Sequence, residues 1–461
     1  MRVLGCSAAG VLMTFWVWGA SREPHIIILD PGHSHAAAIL AQPVPGVSSE
    51  VNVYAPPGPD LREFLNRVSQ FDLRPQSPTH WKFNTYVGPD FLERMLREEP
   101  GNMVVISGRN KPKINRILSC LQAGQNVLAD KPWIIESKDL PLLETALNTA
   151  EEKYRVAYDG MTERFNIAYQ IQRELMRDPD IFGHPLLGTP SDPAVRLENL
   201  HSLIKFNERK VNLRPSWFLD IRQQGEGIAD VGTHLIDLEM WTLFPDESID
   251  YRRDVTVLKA DRTSLSLTRS EFERLTGEKA WPEFLVQAIK NDRLEYYCNN
   301  TAMFTIRGVH ASIRDQWEYE SAGALDDSYL VLYRGSRATI RVRQTKVENY
   351  VPELDVMPDA TLNRTMFAAA LENKIDQLSK TFPNLSIRDK GTEIRIVIPK
   401  EDRMRGGSSF AQLVNRFLEY VRDPQAVPRW EKPNMIAKYY ITTTAVALAR
   451  STHNGVNSGA R

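Results

Sequence analysis

His25–Ala36, HIIILDPGHSHA, decides the fold of this chain. His25–Leu29 is a continuous apolar run, as expected of a strand buried on both faces. It enters Asp30-Pro31-Gly32-His33-Ser34-His35-Ala36 and then a helical segment of Ala, Ile and Leu. A dinucleotide fold places its phosphate turn at such a strand–loop–helix start, because helix N–H groups and the helix dipole attract a pyrophosphate. Of the usual G-x-G-x-x-G only the central Gly32 remains, with Asp30 and His35 at the outer positions. Gly32, His33, Ser34 and His35 are the cofactor-binding candidates here. The Asp30 carboxylate would meet a pyrophosphate with like charge unless it points away.

Outward from this stretch, Val51–Ala55 (VNVYA) is a second strand. It ends in Pro56-Pro57 and lacks the acid that ordinarily holds the adenosine ribose; Asp60, beyond the turn, is a substitute or a solvated loop acid. Leu61–Val68 reads as a helix and Phe71–Tyr86 as an irregular insertion. Met103–Ser107 (MVVIS) is a third strand, Ile114–Ala123 a helix and Asn126–Ala129 the next strand. Asp130-Lys131-Pro132 then stands at a strand's C-terminal end, where open α/β sheets put their ligands. Lys131 can hydrogen-bond a substrate hydroxyl and stabilise negative charge developing on oxygen.

A second informative stretch is Gly225–Asp237, GEGIADVGTHLID. It reads as a glycine-loosened turn entering an amphipathic helix that Pro245 ends. Asp230 and His234 are four apart and share a face if the helix begins by Asp230. The carboxylate would then orient the ring and steady its protonated form while His234 moves the proton. The plainer alternative is an N-cap Asp and a satisfied first-turn His.

Together these stretches resemble the glucose–fructose oxidoreductase/inositol dehydrogenase (Gfo/Idh/MocA) family. That family has a Rossmann domain with a Glu-Lys-Pro motif and a second domain beginning in a glycine-rich D-x-x-x-H helix. The resemblance covers most of the chain after residue 24 and is strongest at Met103–Trp133 and Gly225–Leu238. It implies an α/β N-terminal Rossmann domain followed by an α+β C-terminal domain with a large, mostly antiparallel sheet. Here Asp130 replaces the usual Glu, and Asn110 matches a family residue that touches the cofactor. Arg164, from the Arg164-Phe165 pair, matches one lining the substrate cleft, with Glu163 beside it. Lys131, His234 and Asp230 are the catalytic candidates; Asp130, Lys131 and Asn110 join the cofactor set; Arg164, Trp217 and Asp237 are the substrate set. No metal is expected, because Lys131 and His234 cover the charge on the reacting oxygen.

At 461 residues the chain is too long for one ordinary domain. The expected division is 1–23 as signal peptide or membrane anchor, 24–159 as the dinucleotide domain and 160–461 as a substrate-binding and oligomerisation domain. A final helix, 433–449, would pack back on the rest. A net charge of −1 without a basic block argues against nucleic acid. Cys120 and Cys298, once Cys6 leaves with a leader, are read as small buried hydrophobes. Val3–Ala20 is uncharged after Arg2, the shape of an exported leader, giving a periplasmic or membrane-anchored protein. A wrongly chosen start codon would instead make the protein cytoplasmic.

Past residue 160, Met161–Met176 reads as a helix and Arg196–Lys205 as a strand with His201 and Lys205. Trp217 is an aromatic able to wall a sugar site. Tyr251 to about Gln344 alternates in short β-like runs, among them Val255–Lys259, Ala302–Arg307, Tyr329–Tyr333 and Ala338–Val342. The family uses this sheet as substrate platform and often as an oligomer surface, which implies a homo-oligomer. His310, Arg314, Asp315 and Trp317 are weaker cleft candidates. Leu362–Leu378 and Ser409–Val421 are amphipathic helices, and Ser451–Arg461 is expected to fray.

The function so implied is an NAD- or NADP-dependent oxidoreductase acting on a secondary hydroxyl of a sugar, sugar derivative or polyol. One alternative keeps the cofactor permanently bound in a glycosidase that oxidises, eliminates and reduces back. The other is a redox-silent carbohydrate-binding protein on the same scaffold.

Overall fold

The computed structural model describes residues 24–99, 101–207, 210–321, 327–404 and 408–458. The leader expected at residues 1–23 lies outside the described residues. Among those described, no helix is long and apolar enough to cross a membrane.

The first sheet holds β1 (Ile26–Leu29), β2 (Glu50–Ala55), β3 (Lys82–Val87), β4 (Met103–Ile106), β5 (Asn126–Ala129) and β6 (Ala157–Asp159). Their order is β3-β2-β1-β4-β5-β6, parallel throughout. Alternate side chains serve its two faces. Ile27 and Leu29 pack with α3 (Phe91–Glu98), α4 (Lys113–Gln122) and α5 (Leu140–Glu152). Ile26 and Ile28 pack with α1 (His35–Ala38) and α2 (Pro59–Leu73). The strand order reverses between β1 and β4, so the crevice at their C-terminal ends is the switch point where this architecture takes a ligand.

The supposed insertion Phe71–Tyr86 is ordered instead: α2 runs to Leu73 and β3 closes the sheet edge. β3 buries none of its residues fully, so it has no apolar run to announce it. The helix expected at Met161–Met176 is broken. A 3-10 turn, Thr162–Phe165, precedes α6 (Ile167–Met176), which Asn166 caps by accepting from the Ala168 N–H.

The second sheet is ten-stranded. Its main strands are β7 (Val195–Ser202), β8 (Val255–Thr268), β9 (Arg293–Ile306), β10 (Val309–Glu318), β11 (Ser328–Arg334), β12 (Ala338–Gln344), β13 (Glu353–Pro358), β14 (Ser386–Asp389) and β15 (Ile394–Val397). They run in the order β8-β9-β10-β7-β11-β12-β13-β15-β14, with two-residue Ile289–Lys290 beside β9. Among the described residues only the β7–β10 pair of this sheet is parallel. β8 and β9 are longer than the short runs read from sequence, at 14 residues each.

One face of this sheet is apolar and is covered by α6, α8 (Gly232–Leu243), α9 (Arg364–Leu378) and α11 (Glu431–Ser458). The last helix runs on to Ser458, into the stretch expected to fray. Two C-terminal helices also serve the first sheet. Leu413, Val414, Phe417 and Leu418 of α10 (Ser409–Arg422) pack with Ile26 and Val51, while Met435, Ile436 and Tyr439 of α11 pack with Ile27 and Val104. The chain thus stitches its two halves together at its end.

Candidate active site

β5 delivers Asp130 and Lys131 to the switch point, and α7 (Gly227–Asp230) with α8 delivers Asp230 and His234 from the other half. α7 lies close against β9 because position 227 is glycine: a Cβ there would collide with the Cys298 carbonyl oxygen. Lys131 Nζ lies 2.8 Å from Asp230 Oδ1, and both side chains are buried. Gln224 Nε2 donates to Asp230 Oδ2 at 2.8 Å. Burial pushes the Asp230 carboxyl up, but the Lys131 charge and these two hydrogen bonds outweigh it and hold the group below its ordinary value.

Asp230 therefore does not orient His234, which corrects the pairing read from their spacing. Its two oxygens are taken by Lys131 and Gln224, and among the described residues His234 Nδ1 is buried with no hydrogen bond. Burial first, then the Lys131 charge, hold the imidazole well below its ordinary value. The His234 ring is thus held neutral.

A cleft of about 690 Å³ joins both ends of the site. Gly32, His33, Ser34, His35, Lys131, Trp217, Asp230 and His234 all line it. Asn110, Asp130, Arg164 and Asp237 do not. Asn110 donates to the Gln224 carbonyl at 2.7 Å and accepts from buried Lys113, whose Nζ also holds the Asp130 carbonyl. Arg164 grips Asp237 with two bonds of 2.6 Å and reaches Glu431 at 2.9 Å. Lys438 bridges Asp237 to Asp159. Arg164 and Asp237 are thus an internal ionic lock between α6's approach, α8 and α11 rather than a substrate wall. A buried bidentate arginine is fully occupied by its carboxylates.

At the turn, Asp30 points its carboxylate at Arg116. The Gly32 and His33 N–H groups both donate to the Ser107 carbonyl. Gly32 is confined: a Cβ there would sit 3.2 Å from Trp217 Cζ2 and 3.3 Å from Gly108 Cα. Trp217 in turn donates Nε1–H to Asp60 at 2.9 Å and lies under the Arg109 guanidinium.

The far wall holds groups that sequence reasoning ranked low or missed. His201 Nδ1 lies 3.0 Å from Asp327 Oδ2, Lys205 pairs with the same carboxylate, and Trp317 stacks on the His201 ring at 4.8 Å. His201 Nε2 is buried without a partner. Glu163 also lines the cleft. Burial, reinforced by the Asp327 charge and opposed by Lys131, pushes its carboxyl up to about 7. Of the other weak candidates, His310 bonds the Leu187 carbonyl at an exposed position, Arg314 is exposed and Asp315 is fully buried. Asp327 carries no local sequence signal; only the β7–β11 neighbourhood brings it to His201.

Residues 171–450 match the family model described as a putative oxidoreductase C-terminal domain. A solved structure of a putative oxidoreductase from Parabacteroides merdae is 40% identical, covering 93% of this chain and 98% of that one, with a TM-score of 0.89. GenD2 from gentamicin A biosynthesis, solved with NAD, shares the fold at 13% identity (97% and 98% of the two chains; TM-score 0.55). So does KijD10, a 3-ketoreductase from Actinomadura kijaniata solved with TDP-benzene and NADP, at 12% identity (91% and 95%; TM-score 0.53). Comparison with curated proteins finds no match. On the strength of the family model and the 40% identical relative, the chain belongs to the oxidoreductase family defined by this C-terminal domain and is an enzyme of that class.

Proposed function

We propose that the protein oxidises a secondary hydroxyl of a sugar, sugar derivative or polyol, or reduces the corresponding ketone, with NAD or NADP. The observation that carries this reading is the meeting of Lys131, fixed by Asp230, with neutral, unpaired His234 in one cleft at the sheet's switch point. The divergent turn is compatible with a dinucleotide on one specific ground: Asp30 faces Arg116, so the like charge feared from sequence is turned away and neutralised. Gly32, His33, Ser34 and His35 would hold the pyrophosphate end. Asp60 at the start of α2 lines the cleft and, with Oδ2 taken by Trp217 and Arg109, would meet a ribose through its other oxygen. A nicotinamide bound in this cleft would supply the hydride acceptor or donor.

Lys131 donates a hydrogen bond to the reacting oxygen and stabilises the charge that develops there. His234 takes the hydroxyl proton on its imidazole, and Asp230 holds the ammonium in place. Asn110 and Asp130 act from beneath, positioning the turn and Lys113. The test is to denature the purified protein, assay the supernatant for nicotinamide cofactor, and titrate the native protein with NAD and NADP by calorimetry. Released or bound cofactor, together with hydroxyl oxidation lost in Lys131→Ala and His234→Ala, supports the reading. A protein that neither releases nor binds cofactor overturns it.

One observation favours the closed-cycle glycosidase as a second reading. Glu163, pushed up to about 7 by burial and the Asp327 charge, is suited to protonating a departing oxygen after the sugar has been oxidised.

A further inference from the structure

The phosphate turn has lost its outer glycines to Asp30 and His35 and carries a second histidine at His33, and the structure shows where the two rings go. His35 Nδ1 lies 2.8 Å from Asp130 Oδ1, and His33 Nδ1 lies 3.0 Å from Asp130 Oδ2. The two rings meet edge to face at 4.1 Å between centroids. His33 Nδ1 is buried and makes no hydrogen bond despite that distance, so its approach to the carboxylate does not have donor–acceptor alignment. Donor atoms from all three residues lie within 4.8 Å of one another. Bonds of about 2.0–2.1 Å to one ion would leave neighbouring ligand atoms roughly 3 Å apart.

We propose that His33, His35 and Asp130 form a binding site for a first-row divalent transition metal of the zinc class, with its open coordination positions facing the cleft. Two imidazoles and one carboxylate are a donor set that suits zinc and neighbouring ions, and three protein ligands leave room for water or a substrate oxygen. The supporting shell is present. Ser107 Oγ donates to Asp130 Oδ2 at 3.1 Å, and Phe410 packs on the His35 ring at 4.7 Å. Of the nearby cations, Arg116 is matched by Asp30 and Lys131 by Asp230, while buried Lys113 is held by the Asn110 side-chain oxygen and the Asp130 carbonyl. Asp130 is buried while both histidines remain about one-quarter exposed, so the donors are fixed from below and reachable from above. An anionic phosphate entering the turn would then meet a dication where the ordinary fold offers glycine N–H groups.

The site is tested with the metal alone, independently of any cofactor. The full-length protein is stripped with a chelator and titrated with zinc chloride by calorimetry, and with cobalt chloride by visible absorption. One equivalent should bind. His33→Gln and His35→Gln should each weaken binding at least about 100-fold, with unchanged circular dichroism. No binding at micromolar metal, or binding that both variants retain, overturns the proposal. Should the variants fail to fold, X-ray absorption on the zinc-loaded parent decides: two imidazole ligands are expected, and none or one overturns it. Failure here leaves the nicotinamide reading untouched, since that reading is measured by cofactor release and binding.

Discussion

Lys131 Nζ and Asp230 Oδ1 stand 2.8 Å apart across the two halves of the chain, 99 residues apart in sequence and almost wholly out of solvent. A charge pair so buried is costly to break from one side, because the remaining ion has no water to return to. Removing one partner of such a pair costs roughly 3–5 kcal/mol. We therefore expect Asp230→Ala to lower the stability measured by urea denaturation by about that much. Lys131→Met, which removes the cation but leaves Asp230 bonded to Gln224, should cost less.

His234 presents the opposite case. Its Nδ1 has no hydrogen bond, so the fold gains little from its polarity. Replacing it by Gln should leave the unfolding midpoint nearly unchanged and lower turnover by roughly 10²–10⁴, the range of a lost general base. A loss of folding comparable to that of Asp230→Ala would assign His234 to structure instead.

Glu163 gives the protein a pH signature. Its carboxyl rises from an ordinary 4.5 to about 7 through burial and the Asp327 charge. The folded protein then holds a proton that the unfolded chain has already released between those values. Its contribution to stability is full below about 4.5, falls as pH rises, and is gone above about 7. Glu163→Gln should remove that part of the slope when unfolding midpoints at pH 5 and pH 8 are compared.

These residues also show what a sequence can and cannot carry. The unbroken apolar runs at Ile26–Leu29 and Met103–Ile106 announce strands because both faces of the first sheet are covered. The edge strand Lys82–Val87 has one exposed side and no such run, so it read as a loop. That Lys131 and His234 face one cleft was legible, since each stands at a distinctive local position. The partner of Asp230 was not: helical spacing pointed to His234, four residues away, and the fold chose Lys131 from the other half. Arg164 and Asp237 were expected in the cleft, yet the charges of Glu431 and Lys438, which arrive only with the last helix, hold them inside.

The two functional readings part at the far wall of the cleft. Hydride and proton exchange at a secondary hydroxyl needs Lys131 and His234 but makes no demand on Glu163 or His201. Cleavage of a glycosidic bond after oxidation does need an acid for the leaving oxygen. Asp327, whose carboxylate is held well below its ordinary value once His201 and Lys205 outweigh its burial, would orient His201 and keep Glu163 protonated by its charge. Glu163→Gln and Asp327→Asn should therefore be assayed in parallel with a free sugar and with the matching aryl glycoside, following cofactor reduction in one and phenol release in the other. If phenol release falls by about 10²-fold or more while oxidation of the free sugar is kept, the closed cycle is the working reaction. If both activities survive, Glu163 and Asp327 serve only to shape the cleft, and the simple dehydrogenase stands.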